Sequence, residues 1–138
     1  MQLETLKMNQ HHIMNQKSSG CSFLAFDLPS LIATMKHTET WANGELNALI
    51  LLKSPQKQII LTAMHEGTEV ESFQSNDSIT FQIIEGRIKF HVRKDTVMLN
   101  EGQLMTLDEH IKYRLSSLVE TVFLLTISDT VARASGSF

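Results

Sequence analysis

Hydrophobic residues in the second part of the chain occur in short runs separated by turn residues. The run 87–93 alternates strictly, with apolar Ile88, Phe90 and Val92 between charged or polar neighbours. Because successive side chains of a strand point to opposite faces, this run predicts a strand with one buried face. Many short runs at regular spacing are typical of an all-β sandwich or barrel. The predicted strands span 45–52, 57–65, 78–85, 87–93, 96–100, 103–107, 111–117 and 120–128.

The N-terminal part of the chain lacks this pattern. Residues 1–20 are rich in Gln, Asn and His without clear periodicity, which predicts a loose arm or a short frayed helix. In the segment 27–37, Pro29 suits the first turn of a helix. Apolar Leu31 and Met35 follow at helical spacing, so we expect one short helix here.

These patterns divide the chain into an N-terminal arm with a short helix (1–40), a barrel domain (41–128) and a C-terminal tail (129–138). A chain of 138 residues is long enough to bury a core without disulfides or a metal. Its single cysteine, Cys21, has no partner for an internal disulfide, which fits a reducing compartment. We expect a cytoplasmic protein, since no signal peptide or membrane span is visible in the sequence.

Charge narrows the classes of partner. The net charge of −3 argues against nucleic acid, because phosphate binding requires clustered Lys and Arg. The strand 87–93 nevertheless places Arg87, Lys89, His91 and Arg93 on its outer face. A solvated sheet face and an anion-binding stripe are both compatible with this pattern, and we expect the solvated face. In either case His91 points away from the barrel interior.

Glycine spacing indicates a family. The stretch "GTEVESFQSNDSITFQIIEG" from Gly67 to Gly86 fits the frame G-x5-H-x-H-x3-E-x6-G, and a second frame, G-x5-P-x-G-x2-H-x3-N, fits from Gly102 to Ser117. With its predicted strands, the chain resembles a small single-domain cupin. The resemblance implies an all-β, double-stranded jelly-roll barrel. It also implies that the glycines sit in turns that require positive φ.

Other residues stand at the metal-ligand positions of the motif. In cupins, three histidines and a glutamate converge inside the barrel on one divalent metal, and the matching positions here are Phe73, Ser75, Ile79 and Tyr113. Phenylalanine and isoleucine have no donor atom, and a lone serine or neutral tyrosine is a poor ligand for such a metal. We therefore expect no bound metal and no cofactor.

The resulting hypothesis is a metal-free protein that binds a small organic ligand inside its barrel. The candidate cavity residues are Phe73, Ser75, Ile79, Phe81, Ile83, Tyr113 and His110. Two alternatives stay open. The barrel can be filled by its own side chains and act as a structural or interaction module, or Tyr113 and His110 can act as the acid and base of a metal-independent isomerase or epimerase. Binding is favoured over catalysis, and we expect a homodimer because jelly-roll sheets leave edge strands.

Overall fold

The computed structural model describes residues 13–18, 21–71, 77–108 and 111–128, with side chains from residue 23 onward in those ranges. Within them the chain forms two helices, α1 and α2, and eleven strands, numbered in chain order. The elements are β1 (Ile13–Ser18), β2 (Cys21–Phe26), α1 (Leu28–Met35), α2 (Glu39–Asn43), β3 (Leu46–Lys53), β4 (Lys57–Met64), β5 (Glu69–Glu71), β6 (Ser78–Glu85), β7 (Arg87–Val92), β8 (Asp95–Asn100), β9 (Leu104–Leu107), β10 (Tyr113–Ser117) and β11 (Thr121–Ser128).

Two antiparallel sheets form the body of the protein. One has the strand order β5-β10-β7-β8 and the other the order β3-β4-β11-β6-β9. Alternate residues of both sheets point inward and form one core, which includes Ile60 of β4, Phe81 of β6, Phe90 of β7 and Leu115 of β10. This arrangement confirms the predicted all-β jelly roll. Each strand predicted from the sequence exists, with ends that shift by no more than two residues.

The glycines of the two motifs lie in tight turns, as predicted. Gly67, Gly86 and Gly102 have φ values of 84°, 94° and 87°. Gly86 is the most constrained, because a Cβ there would lie 2.5 Å from the carbonyl oxygen of Glu120 and 2.7 Å from the Cα of Thr121. The turn between β6 and β7 therefore packs directly against the start of β11, and no other residue fits without a shift of the backbone.

Two helices cover the outer face of the larger sheet. Asp27 caps α1 by accepting a hydrogen bond from the backbone N–H of Ser30, and Pro29 occupies its first turn. Leu31 and Trp41 of the helices pack with Leu61 and other outward residues of the sheet in a second apolar cluster. The middle of the larger sheet, at β4 and β11, is thus buried on both faces. Neither described helix has the length and hydrophobicity needed to cross a bilayer.

Four elements were not predicted. The helix α2 and the short strand β5 have no clear sequence pattern, and residues 13–18 and 21–26 form β1 and β2, which pair in a separate hairpin. The prediction of a loose arm or frayed helix was therefore wrong for residues 13–18. A strand without alternation takes its conformation from its pairing partner, and periodicity cannot detect such a partner.

Candidate functional site

The candidate site lies in the barrel core, where four of the predicted cavity residues are described. Ile79, Phe81 and Ile83 follow one another at every second position of β6, and each is at most 5% exposed. Tyr113, at the start of β10 in the opposite sheet, is 4% exposed. All four belong to the same core, so the structure brings them together, and their role in a ligand cavity stays a prediction. Phe73, Ser75 and His110 lie outside the described residues.

Aromatic side chains fill the space between the two sheets. Phe81 is central, with ring centroids 4.8 Å from Phe90, 5.4 Å from Tyr113 and 5.6 Å from Phe123. The rings of Phe81 and Tyr113 meet nearly edge to face, at 81°. Such arrangements add about 0.5–1.5 kcal/mol per pair beyond the area that they bury. We call these four residues the aromatic cluster. It forms packed core between the two sheets.

A small cavity remains beside the aromatic cluster. Its volume is about 10 Å³, which is roughly the space of one water-sized sphere. Its walls are apolar with the exception of Thr62, whose hydroxyl is buried and has no hydrogen-bond partner among the described residues. The lining residues are Leu46, Thr62, Met64, Val70, Phe81, Leu115, Phe123 and Leu125.

Sequence patterns could not single out Thr62. It lies in β4, whose residues are apolar on both faces because one face joins the barrel core and the other packs against the helices. Only the register of β4 against β3 and β11, which places Thr62 opposite Ala48 and Phe123, shows which way its side chain points.

Comparisons with known proteins agree with this architecture. The cupin domain of Schizosaccharomyces pombe Cnp3 superposes with a TM-score of 0.63 at 16% identity, over 91% of this chain and 95% of that chain. A cupin-2 domain containing protein from Shewanella frigidimarina has a TM-score of 0.61 at 10% identity, over 76% and 95% of the two chains. A cupin superfamily protein from Desulfitobacterium hafniense has a TM-score of 0.58 at 15% identity, over 60% and 76%.

The chain has the cupin fold. The resemblance inferred from glycine spacing is thereby confirmed. No protein-family model matches the sequence, and no curated protein matches it either. At the identities found, the similarity extends to the fold alone.

The described residues at the matched ligand positions do not fit a divalent metal. Of the four positions that match metal ligands in cupins, the two described ones are Ile79 and Tyr113, and both are packed in apolar surroundings. Isoleucine has no donor atom, and a metal held here needs imidazole or carboxylate groups. Within the described residues, no group of three or more His, Cys, Asp or Glu side chains is placed to hold a metal ion.

The two described barrel histidines have contacts outside the core. His65 stacks on Trp41 with ring centroids 3.5 Å apart, and its Nε2 lies 2.7 Å from the Trp41 carbonyl oxygen. His65 therefore fastens α2 to the end of β4. His91 points outward, as predicted, with its Nδ1 3.2 Å from the hydroxyl of Thr96 on β8. Neither histidine reaches the aromatic cluster.

A charged group lies on the helical side of the larger sheet. Lys36, at the end of α1, forms ion pairs with Glu120 at 2.7 Å and Glu85 at 3.2 Å. Partial burial alone would lower the pKa of Lys36, but its hydrogen bonds and Coulomb attraction to the two carboxylates outweigh burial and raise the pKa. These contacts stabilise the helix on the barrel and lie away from the core.

Proposed function

We propose that this cupin-fold protein is an interaction module whose barrel interior is structural core and whose binding takes place on its outer surface. The observation that supports this proposal is the aromatic cluster, which occupies the middle of the barrel with ring centroids 4.8–6.3 Å apart. Its members are all buried, so they contribute to stability and present no surface to a ligand.

The size of the cavity favours the same conclusion. Sites for small organic molecules have volumes of about 300–1,000 Å³, whereas the cavity beside Thr62 has about 10 Å³. An organic ligand in this cavity would have to displace side chains such as Phe81 or Met64. Removing a buried phenylalanine from its packing costs about 3–5 kcal/mol, and a ligand that opened the core would have to offset a cost of this order.

An engineered cavity tests the proposal. We expect benzene to leave the melting temperature of the wild-type protein unchanged and to raise that of Phe81→Ala, because apolar cavities of about 150 Å³ bind benzene. Phe123→Ala, which removes another ring of the aromatic cluster beside the same cavity, serves as a second variant if Phe81→Ala does not fold. Stabilisation of the wild type by benzene, or an organic molecule retained in its native mass spectrum, would contradict the proposal, since either result requires an open interior.

A second candidate function is the binding of a small organic ligand inside the barrel. It is favoured by the Thr62 hydroxyl, a buried polar group without a partner in the described part of the chain, which could donate a hydrogen bond to such a ligand. In this case the native mass spectrum of the purified protein shows an adduct that Thr62→Val reduces. Catalysis by Tyr113 is less favoured, because a side chain that is 4% exposed is poorly placed to reach a substrate.

We further propose a cytoplasmic homodimer. Among the described strands, the larger sheet ends at β3 and β9 and the smaller sheet at β5 and β8, so both sheets have edge strands that could pair with a second chain. Light scattering that gives the mass of a single chain across a range of concentrations would contradict the dimer.

A further inference from the structure

The outer face of the smaller sheet concentrates positive charge. On β7, Arg87, Lys89 and His91 alternate with the buried residues Ile88 and Phe90. The chain has twelve Lys and Arg residues and a net charge of −3. Six of these twelve lie on β7, on the adjoining turn and at the start of β10. They are Arg87, Lys89, Arg93, Lys94, Lys112 and Arg114.

The fold adds Arg114 to the stripe seen in the sequence. β10 pairs with β7 so that Arg114 lies directly opposite His91, and Arg114 is exposed. On the other side of β7, Lys89 lies opposite Met98 of the edge strand β8. The Met98 side chain is 44% exposed. We call the outward residues Arg87, Lys89, His91, Met98 and Arg114 the basic face.

Within the described part of the chain, no carboxylate lies within ion-pair distance of the cations of the basic face, although Glu71 of β5 lies directly opposite Arg114. The ion pairs formed there join Lys36 to Glu85 and Glu120, on the helical side of the larger sheet. Arg87 instead donates a hydrogen bond from Nε to Asn100 Oδ1 at 2.9 Å, a contact that orients the guanidinium without cancelling its charge. The basic face can therefore attract an anionic partner through its positive potential.

The shape of the charged area selects the kind of partner. Glu69 and Glu71 of β5 lie opposite Ser116 and Arg114, so negative charge borders the basic face on that side. The positive area is thus a narrow strip along β7, with Arg114 of β10 at its border with the glutamates. Cations at every second position of a strand are about 6.8 Å apart, and alternate side chains of an extended peptide have the same spacing. A nucleic acid duplex, being broader and uniformly negative, would meet the border of glutamates and the net negative charge of the protein.

We propose that the basic face binds an acidic peptide segment of a partner protein in an extended conformation, with Lys89 and Arg114 as the main contacts for carboxylates and Met98 as an adjoining apolar contact. This inference rests on the proposed function as an outer-surface interaction module. It goes beyond the solvated face expected from β7 alone, because Arg114 joins the stripe only through the pairing of β10 with β7.

Charge reversal tests the proposal. The probe is a fluorescein-labelled peptide of four Glu-Ser repeats, titrated at low salt and followed by fluorescence anisotropy. The test variant is Lys89→Glu/Arg114→Glu, and the control is Lys53→Glu/Lys57→Glu at the turn between β3 and β4, which changes the net charge equally. We expect the test variant to weaken binding about tenfold or more and the control to change it less than about twofold, because close charges outweigh the distant field.

Other outcomes would overturn the proposal. Absence of binding by the wild type, or equal weakening in both variants, would show that the basic face is not a docking site. Tighter binding of a 20-base-pair DNA duplex that is lost in the test variant would assign the face to nucleic acid instead. If the test variant does not fold by circular dichroism, Lys89→Ser/Arg114→Ser gives the same comparison. The benzene experiment reports on the barrel interior alone, so failure of either test is distinguishable from failure of the other.

Discussion

Thr62 offers a direct test of a packed and dry barrel interior. Its side chain is buried at 2% exposure, and its hydroxyl has no hydrogen-bond partner among the described residues. A buried hydroxyl left without a partner costs about 1–3 kcal/mol. Thr62→Val replaces this hydroxyl by a methyl group of similar size in an apolar wall. We therefore expect the free energy of unfolding to rise by about 1–2 kcal/mol and Tm by about 3–8 °C.

The matched control makes the same chemical change at a satisfied hydroxyl. Thr121 is fully buried, and its hydroxyl accepts a hydrogen bond from the backbone N–H of Arg87 at 3.1 Å and donates one to the Val119 carbonyl at 2.8 Å. Thr121→Val leaves the Arg87 N–H without that acceptor. We expect it to lower the free energy of unfolding by about 1–3 kcal/mol.

Urea unfolding measures both effects. Circular dichroism and the fluorescence of Trp41, the single tryptophan, give two probes of one transition. The m-value should stay constant while the midpoint moves in opposite directions for the two variants. A loss of stability in Thr62→Val similar to that in Thr121→Val would refute the reasoning. It would mean that the Thr62 hydroxyl is satisfied by a bound water or ligand, and the second candidate function would gain support.

Further predictions concern the turn, the ion pairs and the motif alignment. Gly86→Ala should lower the free energy of unfolding measured in urea by about 3 kcal/mol or more. Gly102 has a similar φ but open space around its Cβ position, so Gly102→Ala should cost about 1 kcal/mol. Equal losses would argue against the close packing of Gly86. Lys36→Met should lower the free energy of unfolding by about 1 kcal/mol or less at neutral pH. Because the pKa of Lys36 is raised in the folded state, this difference between wild type and variant should disappear only as the pH rises above the ordinary pKa of lysine. A difference that persists at strongly alkaline pH would exclude the ion pairs as its cause. A quadruple variant tests the motif alignment: Phe73, Ser75 and Tyr113 are each replaced by His, and Ile79 is replaced by Glu. The variant should be less stable than the wild type, and nickel should raise its unfolding midpoint again if the four side chains converge. A folded variant without nickel affinity would show that the four side chains do not converge.

The local pattern of the sequence determined the strands and their faces. Alternation in β6 and β7 placed Ile79, Phe81 and Phe90 on the inner faces, because the two-residue period of a strand is a property of the backbone. The motif glycines likewise predicted turns with positive φ, since only glycine adopts that conformation without strain. Together with their spacing, these local signals were sufficient to indicate the cupin fold.

Tertiary structure alone decided which residues meet. Tyr113 and Phe81 belong to opposite sheets, and their contact depends on how the sheets pack. The direction of Thr62 was hidden because β4 is buried on both faces, and the position of Arg114 beside His91 follows from a strand pairing across 23 residues of chain. Periodicity records how each strand divides its own side chains between two faces. Periodicity does not show which strand or sheet packs against each face, because those contacts depend on the long-range pairing of strands in the whole chain.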